Sequence, residues 1–149
     1  MTVTTQHSAN IVLRRVLPGN LASADQACRE VLSALSTAGL HRDAFAVQLL
    51  LRETLTNAVI HGSQEDERQV VVCEVRLRRD WLTIRVTDEG PGFDWRARLQ
   101  QRPAPLDEQG WGLHICSMYA AALTFNRRGN RVTVKRKLGS GRLRCHRAK

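Results

Sequence analysis

The sequence predicts an α+β fold: a two-layer α/β sandwich with helices on one face of a mixed, mostly antiparallel sheet. Three observations carry it. Two runs with helical character follow a first strand candidate. Two β-rich runs, Val70 to Leu77 and Trp81 to Thr87, are separated only by Arg78-Arg79-Asp80. A second such pair turns at Gly129-Asn130 near the end of the chain. Connections this short allow only antiparallel pairing, and helices with an apolar side need a sheet to cover.

Taken in order, Ile11 to Leu17 alternates as a strand, and Pro18-Gly19-Asn20 stops it. A helix is expected from about Ser23 to Thr37, with Ala27, Val31, Ala34 and Leu35 on one side and Gly39 ending it. A second helix runs from about Arg42 to Ile60. Its apolar residues, among them Phe45, Val47, Leu49, Leu51, Leu55 and Val59, exceed one narrow stripe, so it should pack on more than one side. The hairpin at 70–87 follows. Between Asp88 and Gln109 the pattern breaks into Gly, Pro and charge, a connection long enough to be a functional lid. A helix resumes near Trp111 and reaches about Ala121, and strands near Leu123–Arg127 and Arg131–Leu138 complete the sheet.

At 149 residues and 42% hydrophobic, the chain fits one domain with one core. Residues 1–9 are expected to be disordered and 139–149 to form a basic tail. No apolar run approaches the roughly 20 residues of a membrane span, and Met1 to Asn10 lacks the parts of a signal peptide, so a cytoplasmic protein is expected. Cys28, Cys73, Cys116 and Cys145 show neither a C-x-x-C pair nor metal-ligand spacing, and reduced thiols are expected of them. The formal charge is +9, yet ten cations and no carboxylate lie between Arg127 and Lys149, leaving the remainder at −1. Such a segment can attract nucleic acid or an acidic protein face. Its plain reading is a solvated strand face and a tail, and too few aromatics lie in it for a stacking platform.

Three segments carry polar residues that packing does not explain. In Glu53-Thr54-Leu55-Thr56-Asn57-Ala58-Val59-Ile60-His61-Gly62, the residues Glu53, Asn57 and His61 fall at i, i+4 and i+8, along one side of a helix apolar elsewhere. Such groups need partners if buried. In Thr87-Asp88-Glu89-Gly90-Pro91-Gly92-Phe93, alternation puts Asp88 in phase with Leu82, Ile84 and Val86, on the core face. A carboxylate there accepts from an adenine amino group, where guanine offers an acceptor instead. Gly90 and Gly92 permit close backbone approach. Finally, Gly110-Trp111-Gly112-Leu113 opens a helix, whose free N–H groups favour phosphate.

Each motif alone is common; their order and spacing are not. A helix with E-x-x-x-N, a strand ending in D-x-G-x-G, a lid, and G-x-G-L at a helix start resemble the GHKL superfamily over about Arg52 to Leu138. The resemblance implies a Bergerat-type sandwich that binds ATP under a lid, with Mg2+ on the phosphates. Within the superfamily, the Asn-Ala-x-x-His-Gly helix end and short lid look most like the anti-sigma-factor serine kinases. By that resemblance Asn57 holds magnesium, Asp88 reads adenine, Gly90 and Gly92 shape the adenine pocket, and Phe93 belongs to the nucleotide-binding residues. Gly110, Trp111, Gly112 and Leu113 meet the phosphates, and Glu53 is the general base. His61 either lines the pocket or caps the helix. Lid charge comes from Arg96, Arg98 or Arg102. Expected partners are a sigma factor, a small anti-anti-sigma antagonist protein and a second copy in a homodimer, with no membrane and no direct nucleic-acid contact.

Two positions depart from the pattern. Trp111 stands where relatives often carry arginine, and the last turn reads Gly129-Asn130-Arg131 where many have Gly-Thr, with Thr133 the nearest hydroxyl. These departures leave an alternative reading, an ATP-binding switch that binds partners without significant kinase turnover. A severed histidine-kinase domain is a third reading. No upstream helical pair presents a phospho-accepting histidine in this sequence, and His7 lies in a polar stretch.

Overall fold

A computed structural model describes residues 11–101, 104–106 and 111–139. The expectations for residues 1–9 and for the tail beyond Gly139 lie outside these residues, as do Cys145, Arg102 and Gly110. Five strands, β1 (Ile11–Pro18), β2 (Val70–Arg78), β3 (Trp81–Asp88), β4 (Ala122–Phe125) and β5 (Arg131–Lys137), form one sheet in the order β1-β2-β3-β5-β4. All four pairings are antiparallel. Helices α1 (Leu21–Thr37), α2 (Ala44–Asn57) and α4 (Trp111–Tyr119) cover one face, and a short α3 (Trp95–Gln100) lies in the lid. The architecture is the two-layer α+β sandwich that the sequence predicts.

Alternation dictates which side of each strand is buried. Val71, Cys73, Val75 and Leu77 of β2, Leu82, Ile84 and Val86 of β3, and Val132 and Val134 of β5 point to the helices. They meet Val47, Leu50, Leu51, Leu55 and Val59 of the second helical segment, all fully enclosed. This segment is flanked by α1 and α4 and backed by β3, which accounts for its wide apolar surface. Phe45 is the exception: it is 67% exposed and touches Tyr119 edge-on at 6.2 Å.

Asn20 caps α1, its Oδ1 accepting from the Ser23 N–H at 2.8 Å, so the helix begins two residues earlier than the apolar period indicates. The second helix is not uniform. A 3-10 turn at His41–Asp43 precedes α2, and a π turn at Ala58–Gly62 extends it. The wide turn closes with the Ser63 N–H donating to the Ala58 carbonyl at 2.8 Å, five residues back, while the buried Ser63 hydroxyl donates to Val59 O. Insertions of this kind are frequent at functional sites.

The lid is not loop throughout. Asp94 Oδ1 accepts from the Ala97 N–H at 3.1 Å and starts α3. Periodicity misses this helix because it has six residues and none is buried; aromatic contacts hold it instead. Trp95 stacks on Phe125 at 5.3 Å and 19°, and its Nε1 donates to Asn126 O.

The basic C-terminal strand also differs from a simple solvated face. Arg136 points inward, 3% exposed, and its Nη2 lies 3.0 Å from Asp43 Oδ1. The Arg136 Nη1 donates to Tyr119 O, and Asp43 Oδ2 accepts from the Gly139 N–H. This buried pair ties the start of α2 to the ends of α4 and β5. Cys28, Cys73 and Cys116 are buried free thiols. Burial pushes Cys73 and Cys116 up to about 12, too high for a thiolate nucleophile near neutral pH. No helix among the described residues is long and apolar enough to cross a membrane.

Candidate functional site

One cavity of about 440 Å³ opens where the second helical segment, the end of β3, the lid base and the β4–β5 turn meet. Its size falls in the usual range for small-molecule sites. Glu53, Asn57 and His61 line one wall together with Thr56 and Ile60. The helical spacing that aligns them in sequence is kept by α2 and its π extension. Asp88, Val86, Gly92 and Phe93 form the inner wall, Gly112 and Leu113 a third side, and Phe125 with residues 129–132 the remainder.

Glu53, Asn57 and His61 make no hydrogen bond to any described residue, although Glu53 and Asn57 are half-buried. The neighbouring Thr54 differs: its hydroxyl donates to Leu50 O and Leu51 O, 2.7 and 3.1 Å away, and so serves the helix. Half-buried polar side chains without protein partners on a cavity wall leave their hydrogen-bonding capacity open to whatever enters it. Gly112 starts α4 directly against them. A Cβ there would overlap the Glu53 carboxylate and lie 3.7 Å from Asn57 Nδ2. The absence of a side chain lets the helix start approach the carboxylate and the amide together.

Asp88 ends β3 on its inward face. Its Oδ1 accepts from the Gly90 N–H at 2.8 Å, while no described protein donor meets the second oxygen. Burial pushes its carboxyl above the ordinary range, opposed by the Gly90 N–H and by Arg128. Gly62, at the end of the π turn, packs so closely that a Cβ would collide with the carboxylate. A half-buried carboxylate with one oxygen open to a cavity suits a neutral donor such as an amino group. The next turn is locked to the far side of the site. Gly92 has φ +77° and its Cβ position is taken by the Arg128 carbonyl, so only glycine fits.

Asn130 occupies the position noted as a departure, and its part is structural. Its Nδ2 donates to Asp88 O at 2.8 Å, and Asp88 N donates back to Asn130 O at 2.9 Å. Asn126 Oδ1 accepts from the N–H groups of Gly129, Asn130 and Arg131, fixing the turn. Thr133 alternates with the buried Val132 and Val134, so it sits on the opposite side of the sheet from the cavity.

Two further predicted positions differ in placement. Gly90 is buried behind Asp88 and does not line the cavity. Trp111 is absent from the lining and packs edge-on against His114 at 5.6 Å. Gly110 lies outside the described residues. Among the lid arginines, Arg98 lines the cavity, whereas the Arg96 guanidinium sits 4.3 Å over the Trp95 ring. Arg102 is outside the described residues. Sequence reasoning missed Thr56, Phe125, Arg131 and Val132 as lining residues. The signal for the last three is the register Phe125↔Val132 beside β3, visible only once strand order is known.

Comparisons with known proteins agree with this geometry. Residues 17–136 match the family described as histidine kinase-like ATPase domain. The chain is 27% identical over 101 residues to an anti-sigma F factor of Clostridium perfringens strain SM101, spanning 63% of this chain and 72% of that protein. It is 28% identical over 101 residues to the anti-sigma F factor of Clostridium beijerinckii, spanning 61% and 68%. The anti-sigma F factor of Lysinibacillus sphaericus is 26% identical over 95 residues, 59% of this chain and 65% of that one. The sandwich, the cavity beneath its lid and the extent of the match together establish that the chain belongs to the histidine kinase-like ATPase domain family of the GHKL superfamily.

Proposed function

We propose that the protein is an ATP-dependent protein-serine kinase acting as an anti-sigma factor in a partner-switching system. In this reading it holds a sigma factor and phosphorylates a small antagonist protein on serine. Family membership implies ATP binding, and the anti-sigma reading is drawn from the relatives' names. The carrying observation is the convergence of Glu53, Asn57 and Gly112 on one side of a cavity whose inner wall holds Asp88. Base, amide, helix start and a half-buried carboxylate on the inner wall are the parts that positioning-dominated phosphoryl transfer asks of a protein.

Asp88 accepts from the adenine amino group through the oxygen that Gly90 does not use. Asn57 offers an amide oxygen for Mg2+, an ion that takes few protein ligands and keeps several waters. When bound, that ion neutralises phosphate charge. Glu53, one helical turn before Asn57, takes the proton of the attacking serine hydroxyl as the new O–P bond forms and ADP departs. Arg98 supplies cationic charge from the lid. The same reading entails a cytoplasmic, homodimeric protein folded as one domain.

The test is transfer of labelled phosphate from ATP to the antagonist protein, alongside magnesium-dependent ATP titration. Glu53→Ala is expected to lose transfer by roughly a hundredfold or more while retaining ATP. Asn57→Ala is expected to lose the magnesium-dependent part of ATP binding. Transfer at equal rate by wild type and Glu53→Ala would remove the kinase reading. One observation favours a second reading. Trp111 packs on His114 and brings no charge to the cavity, as expected of a nucleotide-binding switch with little turnover. Magnesium-dependent ATP binding without single-turnover transfer selects it.

A further inference from the structure

The helices cover one face of the sheet, and no element among the described residues covers the other. Alternation places Arg14, Arg76, Arg78, Arg85, Lys135 and Lys137 on that face, all exposed. Glu74 is the one carboxylate among the strand residues that share it. The other acidic residues among the described ones sit in turns, helices and the cavity. The positive charge is thus a property of a face assembled from four strands, rather than of the C-terminal segment alone.

The register is informative. Glu74 stands between Arg14 and Arg85, 3.7 and 3.8 Å from their guanidinium nitrogens. Arg76 stands between Val12 and Thr83, and Lys135 between Thr83 and Ala122. Arg78 and Lys137 flank Trp81, with Lys137 also 3.5 Å from Asp80. No two of these cations are direct cross-strand partners. Like charges in direct opposition destabilise a sheet, so this spacing keeps a positive field while avoiding that cost.

The cations are interleaved with exposed apolar surface: Val12 is 70% exposed, Val16 53% and Trp81 44%. Phosphates would engage the cations but leave Val12 and Val16 unused, and a lone Trp81 gives no stacking row for single strands. A second copy would set positive against positive across a two-fold axis. Arginine and tryptophan are enriched at protein interfaces, and exposed Val12 and Val16 add apolar area that a protein partner can cover. We propose that the open face of the sheet is a docking surface for an acidic protein partner, one that presents carboxylates interleaved with apolar side chains. The face lies across the sheet from the cavity, so partner and nucleotide can be held at once.

A labelled peptide alternating Glu and Val serves as the probe, with the full chain, anisotropy detection and salt at about 50 and about 200 mM. A peptide alternating Lys and Val and a short DNA duplex are the comparisons. The Glu-Val peptide is expected to bind, and to weaken several-fold on adding salt. The double variant Arg76→Glu/Lys135→Glu is expected to bind it roughly tenfold or more weakly and to gain affinity for the Lys-Val peptide. Val12→Ser should weaken the Glu-Val peptide a few-fold. Thermal melting with and without ATP checks that each variant is folded with its cavity intact. Tighter binding of the duplex than of the peptide would replace the proposal with a nucleic-acid surface. A dimer in sedimentation that the double reversal dissociates would assign the face to a second copy. Equal peptide affinity in wild type and double variant would leave a solvated face and overturn the proposal.

Discussion

Asp88 concentrates the competing demands on this molecule. Burial raises its pKa from an ordinary value of 3.8, so the folded chain binds this proton more readily than the unfolded chain. Stability therefore falls as pH rises through the interval between the unfolded and folded values, and is regained as pH falls through it. Asp88→Asn keeps an oxygen for the Gly90 N–H and removes the half-buried charge. Its melting temperature at neutral pH should be no lower than that of the wild type. The difference between the two proteins should close as the pH is brought down toward the ordinary carboxylate range. On the proposed reading the same substitution weakens ATP by roughly ten- to a hundredfold, since a hydrogen bond to a charged group is lost. Wild-type ATP affinity should likewise decline with falling pH sooner than an ordinary aspartate would dictate. Calorimetric titrations and thermal melts across pH read both effects. A variant that melts lower at neutral pH and binds ATP unchanged would contradict the argument. Much of this site is legible in sequence: helical spacing aligns Glu53, Asn57 and His61, and strand phase turns Asp88 inward. The part Asn130 plays is not, because it depends on the β3–β5 register joining residues 42 apart in the chain.

At the scale of elements, α3 shows what periodicity cannot see. Its six residues bury nothing, and it is held by its first residue. Trp95 stacks on Phe125, donates to Asn126 O and carries the Arg96 guanidinium on its ring. Phe93 meets the same Phe125 edge-on at 5.4 Å, so both ends of the turn into the lid rest on one side chain of β4. Trp95→Ala removes an aromatic pair of about 0.5–1.5 kcal/mol and a hydrogen bond of about 0.5–1.5 kcal/mol. We expect a modest loss of global stability, and a larger rise in amide exchange confined to residues 93–101. The proposed ATP site should weaken as well, because α3 holds Arg98 against the cavity. Trp95→Phe should restore most of the stability and leave only the hydrogen bond missing. Exchange measured by mass spectrometry distinguishes this from a general loosening, which would spread to β1 and β2. The strands, by contrast, are readable to within a residue or two, since two-residue alternation and short polar turns leave little freedom for pairing. The π turn at Ala58–Gly62 is not readable. It rests on the burial of Ser63, which only the packed sandwich imposes.

For the whole molecule, the Asp43–Arg136 pair decides whether the two layers stay registered. Arg136 belongs to a strand whose other cations face solvent, and charge counting along the segment places it among them. The strand's alternation puts it inward instead, opposite Leu82 of β3. With side chains 3% and 6% exposed, the pair has lost nearly all hydration. The Tyr119 carbonyl and the Gly139 N–H add further hydrogen bonds. Such a pair adds little over well-packed apolar residues, but removing one partner strands the other charge at a cost of about 3–5 kcal/mol. Asp43→Ala should therefore lower the melting temperature by on the order of 10 °C in a chain of this size. Asp43→Leu combined with Arg136→Met should recover most of that loss. The recovery distinguishes a stranded charge from a lost anchor between helix and sheet. If the double variant melts as low as Asp43→Ala, the pair holds the layers through its geometry, and the energetic assignment fails. If it recovers stability yet loses the proposed ATP binding, the pair serves to position α2, and with it Glu53 and Asn57, relative to the sheet that carries Asp88.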